Sequence, residues 1–200
     1  MTHTTSQAER PARATDMPIQ RLVRAAQAGD ASAWDEIVAR YGNLVWAVVR
    51  AHRLRHADAA DAAQATWVRL VRHLDRLQDP AALGAWLATI TRRECLRILR
   101  DSGRQIPCAE FPEVADDQPE PDSELIAEER AAVVREAFAR LADRDQALLR
   151  LLAADPPPSY TEISAALDMP IGSIGPTRAR ALERLRREIA RAGELATVGA

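Results

Sequence analysis

Apolar residues recur every three or four positions through most of the chain, the spacing that places them on one face of an α-helix. A first helix is predicted from Ile19 to Ala28, ending at Gly29. Asp30 is of the type that caps a helix N-terminus, and a long amphipathic stretch follows it. The apolar positions of that stretch are Trp34, Ile37, Val38, Tyr41, Leu44, Val45, Val48 and Val49. They predict a buried face.

A third helix is predicted from residue 58 to residue 77, and its two faces differ. The expected buried face consists of Ala60, Ala63, Trp67, Leu70, Val71, Leu74 and Leu77. The opposite face mixes charged, small and apolar residues, namely Asp58, Asp61, Gln64, Ala65, Val68, Arg69 and Arg72. A mixed face of this kind is suited to a partner helix, and equally well describes solvated surface. Spacing alone does not choose between the two.

A fourth helix begins at Asp79 and Pro80, with Asp79 as the predicted cap and Pro80 at the first helical position. Its inner positions are Leu83, Trp86, Leu87, Ile90, Cys95, Ile98 and Leu99. Its arginines at 93, 97, 100 and 104 follow one another at intervals of four, three and four residues. Four like charges on one edge repel each other unless an anion lies against them, and nucleic-acid phosphate is such an anion.

Helical periodicity stops at Asp101, and proline, glycine and acidic residues dominate from there to Ser123. The net charge of the chain is −2, but its distribution is uneven. Residues 1–100 contain 15 arginines and 10 acidic residues, whereas residues 101–129 contain one arginine and 10 acidic residues. An acidic flexible linker is therefore predicted between two helical domains, which makes the fold class all-α.

The second domain ends in two predicted helices joined by a short turn. Ser159 and Glu162 form a capping box before the first of them. The segment from Asp168 to Gly172 is expected to end this helix, because of Pro170 and Gly172, and Ser173 is expected to cap the second helix, which is rich in arginine. A short helix, a glycine-containing turn and a basic helix make the helix-turn-helix pattern of DNA-binding proteins. A helical hairpin with a solvated arginine face is the alternative.

Two further helices are predicted before this pair, Leu125–Leu141 and Ala147–Leu152, with Asp143 and Gln146 as a capping pair for the second.

The motifs and composition of the sequence argue against several classes of protein. The sequence contains no phosphate-binding glycine loop and no motif of a hydrolase or metalloenzyme, so neither enzymatic activity nor a metal or cofactor is expected. The two cysteines, Cys95 and Cys108, do not form a disulfide scaffold, and Cys95 is interpreted as a buried hydrophobe, with a redox role as the alternative. No membrane span or secretion signal is recognised, which predicts a cytoplasmic protein.

Three segments together resemble the sigma-70 family, in particular its small extracytoplasmic-function (ECF) members. DAADAAQATWVR at residues 58–69 is similar to the family's D-A-E-D-L-V-Q-E-T-F-x-R segment, which docks on the clamp helices of the RNA polymerase β′ subunit. AWLATITRR at 85–93 is similar to A-W-L-x-x-I-A-R-N, whose helix opens and holds the −10 promoter element. LADRDQALL at 141–149 and YTEISAAL at 160–167 resemble the domain that reads the −35 element.

The resemblance implies a domain organisation and a set of partners. It implies a disordered N-terminus (1–17), sigma region 2 (18–104), a linker (105–123), sigma region 4 (124–192) and a tail (193–200). The implied partners are RNA polymerase core, through the β′ clamp helices and the β flap, and promoter DNA. An anti-sigma factor is a further expected partner, because the family is usually held inactive by one, although no residue here identifies it. No membrane partner is expected.

Three sets of site residues follow from the same resemblance. Core polymerase is expected to contact Asp58, Asp61, Gln64, Val68, Arg69 and Arg72. The −10 element is expected to contact Asp79, Trp86, Thr89, Arg92, Arg93, Arg97 and Arg100. The −35 element is expected to contact Ser173, Pro176, Thr177, Arg178, Arg180 and Arg184.

The sequence also departs from the family pattern. Ala60 and Ala65 replace two acidic residues of the docking segment, Arg93 replaces the usual asparagine, and Gly175-Pro176 opens the reading helix where polar residues are common. Two other functions remain open from the sequence: a stand-alone helix-turn-helix regulator, and an adaptor that binds polymerase but reads no promoter. The first domain favours the hypothesis of a sigma factor, since a stand-alone regulator does not need the face that carries Asp61 and Gln64.

Overall fold

The structure, a computed structural model, describes residues 17–101 and 121–198. These residues form two small all-helical domains. The helices of the first domain are α1 (Ile19–Gln27), α2 (Ala31–Ala51), α3 (His56–His73) and α4 (Leu83–Asp101). Those of the second are α5 (Pro121–Ala139), α6 (Asp143–Leu152), α7 (Tyr160–Leu167) and α8 (Ile171–Val198). Helix α5 thus begins inside the predicted linker, and α8 continues past residue 192. Arg104, Cys108 and most of the predicted linker lie outside the described residues.

Local signals set the start of several helices as the sequence predicts. Gly29 closes α1 with a φ of 89°, a conformation that favours glycine. The Asp30 carboxylate accepts hydrogen bonds from the backbone N–H of Ser32 and Ala33 at the start of α2. Asp79 accepts from the Ala81 N–H at 2.9 Å, and Pro80 opens a 3₁₀ turn (Pro80–Ala82) that leads into α4. The Ser159–Glu162 capping box is complete at α7.

Helix α3 turns a slightly different face inward from the one predicted. The buried residues are Ala62, Ala63, Thr66 and Leu70, whereas Ala60 is exposed and Val71 is 62% exposed. The predictions for Ala60 and Val71 are therefore wrong. Thr66 accounts for the difference, because its hydroxyl lies between α3 and α4 and hydrogen-bonds to the Ala62 carbonyl and to Thr91. Helix α2 shows a similar exception, since Val38 is 44% exposed.

Helix α6 does not begin with the predicted side-chain capping pair. Its N-cap is Ala142, without a side-chain hydrogen bond, and Asp143 instead contacts Arg53 of the first domain at 2.9 Å. Gln146 is buried and donates to the carbonyls of Ala139 (3.1 Å) and Leu141 (2.8 Å). Gln146 thereby satisfies carbonyl groups at the end of α5, which would otherwise be buried without partners.

The turn between α7 and α8 is made by Asp168, not by Gly172. Asp168 has the left-handed conformation (φ 53°, ψ 55°), which aspartate tolerates better than most residues. The Met169 N–H donates to the Ser164 carbonyl, and the Ser164 hydroxyl donates to the Met169 carbonyl at 2.7 Å. Helix α8 therefore begins at Ile171, and Ser173 lies within its first turn rather than capping it. Pro176 is accommodated inside the helix, near its start.

The two domains share one hydrophobic cluster. Leu44, Ala47, Val48 and Ala51 of α2 and Ala88 of α4 pack with residues of the second domain. The second domain contributes Ala147, Leu148, Leu151, Ile163, Ala166, Met169 and Ile174. Helix α7 lies along α4 and helix α6 along α2. The chain is thus closed upon itself, an arrangement that the sequence did not predict.

A glycine of α4, Gly84, lies directly against the second domain. A Cβ added to Gly84 would lie 2.1 Å from Glu162 Oε1 and 3.1 Å from Tyr41 Cε1, so a larger residue requires these groups to move. Two ion pairs flank the contact, Arg53–Asp143 at 2.9 Å and Arg92–Asp168 at 2.7 Å. Both involve exposed carboxylates and contribute at most about 1 kcal/mol each, so apolar burial supplies most of the attraction.

Candidate polymerase and promoter surfaces

An open groove of about 560 Å³ lies between α3 and α4, and it contains most of the predicted polymerase-binding residues. Its lining consists of Asp61, Gln64, Ala65, Val68, Arg69, Arg72, His73, Glu94 and Arg97. Asp58, in the first turn of α3, is outside this lining. Val68 is 40% exposed, so the groove combines charged walls with an apolar centre. This combination is typical of surfaces that bind another protein.

Glu94 lies under the groove and was not predicted as a site residue. Its side chain is 3% exposed, and its two oxygens contact Arg69 Nε on α3 and, at 3.0 Å, Arg97 Nε on α4. Periodicity cannot reveal this residue, because a glutamate in an arginine-rich helix normally faces solvent. Two neighbouring arginines are the compensation that a buried carboxylate requires.

The predicted −10 residues on and before α4 divide into structural and exposed groups. Asp79 caps the 3₁₀ turn, and the Thr89 hydroxyl donates to the Ala85 carbonyl. Trp86 is half-buried, with its ring 6.5 Å from that of His73. Arg93 and Arg100 are exposed, and Arg97 pairs with Glu94 and Asp101. Of the arginine edge, Arg97 therefore has carboxylate partners within the chain, whereas Arg93 and Arg100 are exposed and remain available to nucleic acid.

Arg92 occupies a different position, because α7 of the second domain lies against it. Its guanidinium contacts the Asp168 carboxylate, and its side chain is 23% exposed. One of the predicted −10 residues is thus engaged by the helix-turn-helix itself in the closed chain.

The predicted −35 residues occupy the first half of α8. Pro176, Arg178, Arg180 and Arg184 are exposed, and Ser173 and Thr177 are half-buried. The Arg180 guanidinium lies 3.4 Å from the Thr177 hydroxyl. Arg184 differs from the others, because it forms an ion pair with Asp145 of α6, whose side chain is only 6% exposed. Arg184 therefore has a structural partner that the sequence pattern did not indicate.

Cys95 is buried between α3 and α4, and burial raises the pKa of its thiol to about 12. The thiolate is the reactive form of cysteine, so the folded protein should protect Cys95 from alkylation. In a Cys108→Ser variant, we expect iodoacetamide at pH 8 to leave the native chain unmodified. The same reagent should label it in guanidinium chloride. Mass spectrometry measures both, and rapid labelling of the native chain would support the redox alternative.

Membrane spans and metal centres are two further kinds of site, and the following statements hold for residues 17–101 and 121–198. No helix there is long and apolar enough to cross a lipid bilayer. In that part of the chain, no cluster of three or more histidine, cysteine or acidic side chains is arranged to bind a metal ion.

Comparison with known proteins matches the segment that carries the first of these surfaces to a family. The profile described as Sigma-70 region 2 matches residues 37–105, which include the groove and α4. The ECF RNA polymerase sigma-E factor of Escherichia coli K12 is 25% identical over 180 residues, covering 85% of this chain and 93% of that protein. The protein of the same description from Haemophilus influenzae is 26% identical, with 85% and 94% covered.

Two solved structures share the fold. The structure of CnrH in complex with the cytosolic domain of CnrY aligns with a TM-score of 0.59 and 21% identity, covering 86% of this chain and 97% of that one. The sigma factor RpoE of Bartonella quintana, in complex with the anti-sigma factor NepR, aligns with a TM-score of 0.56 and 20% identity, covering 78% and 96%. The region 2 match and the near full-length relatives lead to one conclusion: the first domain contains a Sigma-70 region 2, and the chain is similar over 85% of its length to extracytoplasmic-function sigma factors.

Proposed function

We propose that the protein is an ECF sigma factor, which directs transcription initiation in the cytoplasm by binding RNA polymerase core with its first domain and reading promoter DNA with both domains. The observation that carries the assignment is the α3/α4 groove. It brings together five of the six predicted core-binding residues on the segment that resembles the family's docking sequence. A stand-alone DNA-binding regulator has no need of such a surface. Sigma factors are initiation factors without enzymatic activity of their own, and we assign no reaction to this chain.

The proposed division of labour follows the domain bounds expected from the sequence. Residues 18–104 bind the β′ clamp helices and capture the −10 strand through the exposed residues of α4. Residues 124–192 read the −35 duplex through α8 and contact the β flap. The acidic linker, 105–123, connects them. Each domain has few exposed arginines aimed at one DNA surface, so tight promoter binding requires both domains held at the spacing that polymerase sets.

The closed arrangement adds a step to this function. While α7 covers α4 and Asp168 holds Arg92, the second domain occupies part of the surface assigned to the −10 strand. The domains must therefore separate before the promoter is bound. A closed resting state lowers the apparent affinity for promoter DNA by the fraction of molecules that are open. The solved structure of RpoE contains the anti-sigma factor NepR, and an anti-sigma factor that favours the closed chain is the regulator we propose.

The test is reconstitution with purified polymerase core. We expect the chain to bind core in size-exclusion chromatography and to support run-off transcription from promoters selected from a genomic library. Alone, it should bind duplex DNA only weakly. Tight binding to a duplex operator without any interaction with core would instead establish a stand-alone regulator. Binding to core without transcription from any promoter would establish an adaptor.

A further inference from the structure

We propose that Glu94 is a positioning residue for polymerase binding, because its buried carboxylate holds the Arg69 guanidinium in the α3/α4 groove. This inference rests on the proposed function, since it assumes that the groove receives polymerase core. It adds a residue that lies outside the predicted docking segment and on a different helix from it.

The Glu94 carboxylate fixes the orientation of the Arg69 guanidinium. One Glu94 oxygen contacts Nε of Arg69, and the other contacts Nε of Arg97. Nε is the guanidinium nitrogen nearest the main chain. Contact at this atom therefore orients the planar group while its terminal nitrogens remain at the outer end of a side chain that is 48% exposed. A guanidinium held in this way loses less rotational freedom when a partner carboxylate binds it than one that moves freely.

The burial of Glu94 makes the arrangement dependent on both arginines. A carboxylate that is 3% exposed is costly unless paired, and here two cations from different helices pair with it. Arg97 is held further by Asp101 at 3.1 Å. Arg69 has no such second carboxylate within 4.0 Å among the described residues, so its orientation depends on Glu94.

The pair also sets the charge of the groove. Three arginines (Arg69, Arg72 and Arg97) line it with two acids, Asp61 and Glu94. Neutralising Glu94 would leave the groove more basic and would free Arg69 to move or to pair with Asp61. If the partner surface were simply acidic, this change would strengthen binding. If the orientation of Arg69 determines the affinity, neutralising Glu94 weakens core binding. The direction of the change in affinity therefore distinguishes an effect of charge from an effect of orientation.

A double-mutant cycle on the full chain tests the inference. Core affinity is measured by fluorescence anisotropy for the wild type, Glu94→Gln, Arg69→Ala and the double variant, with thermal unfolding recorded for each. We expect Glu94→Gln to weaken core binding about tenfold in the wild type and less than about twofold in the Arg69→Ala background, the coupling typical of side chains in contact. Glu36→Gln is the matched control, since it removes the carboxylate of the Glu36–Arg40 pair on α2, outside the groove.

A second variant separates positioning from packing. Glu94→Asp keeps the charge but withdraws the carboxylate by one methylene, and we expect it to weaken core binding severalfold while the fold remains intact. Equal effects of Glu94→Gln in both backgrounds, or a loss of thermal stability with unchanged core affinity, would overturn the inference. If the wild type itself does not bind core, the proposed function fails instead, and the inference fails with it.

Discussion

Replacement of Gly84 by alanine is expected to weaken the contact between the two domains and to open the chain. The new methyl group would meet Glu162 Oε1 at 2.1 Å, and the Glu162 side chain is not free to swing away. Its other oxygen accepts hydrogen bonds from the Ser159 N–H at 2.7 Å and from the Ser159 hydroxyl at 2.8 Å. Either the capping box of α7 or the approach of α7 to α4 must give way.

The measurement is hydrogen exchange of the α6 and α7 amides, together with small-angle X-ray scattering. Exchange should accelerate about tenfold for each 1.4 kcal/mol of docking free energy lost, and the radius of gyration should rise. Gly84→Leu should produce a larger effect than Gly84→Ala. The apparent affinity for promoter DNA should increase at the same time, because a larger fraction of molecules is open.

Gly42→Ala provides the matched control for this prediction. Gly42 lies within α2, and a Cβ there meets nothing within 4 Å. Alanine should therefore stabilise α2 by about 0.5–1 kcal/mol through helix propensity and leave the domain contact unchanged. If Gly84→Ala behaves like Gly42→Ala, the domains are not closely packed in solution, and the proposed opening step is unnecessary.

Predictions from the sequence succeeded where neighbouring residues decide the structure. The Ser159–Glu162 capping box, the Asp30 cap and the glycine that ends α1 are interactions within a few residues, and the structure confirms each of them. The all-helical, two-domain fold followed from the same local periodicity and is confirmed. The break between α7 and α8 lies within the predicted segment 168–172, but the residue with the left-handed conformation is Asp168 and not Gly172, and Asp168 pairs with Arg92 across the domain interface.

The remaining features depend on residues far apart in the chain, which periodicity does not connect. An apolar residue of α2 such as Val48 is predicted to be buried, but the pattern does not say that it packs against α6 and α7. Glu94 and Asp145 look like ordinary surface acids until α3 and α8 bring arginines to them. The residue roles within the three predicted site sets stay predictions, because they concern partners that bind from outside.

Arg180→Ala and Arg184→Ala are expected to impair transcription for different reasons. Arg180 is exposed near the start of α8, and its removal should leave the unfolding free energy within about 0.5 kcal/mol of wild type. Its loss should cost about 1–3 kcal/mol of promoter recognition, or roughly 5- to 150-fold in transcription at limiting sigma factor. The defect should be confined to promoters that depend on the −35 element.

Arg184→Ala should instead lower stability, because it leaves the Asp145 carboxylate buried without its partner. Breaking a buried pair costs about 3–5 kcal/mol, and about 1–3 kcal/mol is expected here because the Arg184 side chain is 47% exposed. Thermal unfolding measures the difference, and run-off transcription below the melting temperature measures what remains of promoter reading.

Asp145→Asn in the Arg184→Ala background separates the two roles of Arg184. Removing the buried charge should restore part of the lost stability, since a neutral amide is less costly to bury than an unpaired carboxylate. If transcription recovers with stability, Arg184 supports the α6–α8 packing and reads no base. If stability recovers and the −35 defect persists, Arg184 also contacts promoter DNA. A stability equal to wild type in Arg184→Ala itself would contradict the structural role of the Asp145–Arg184 pair.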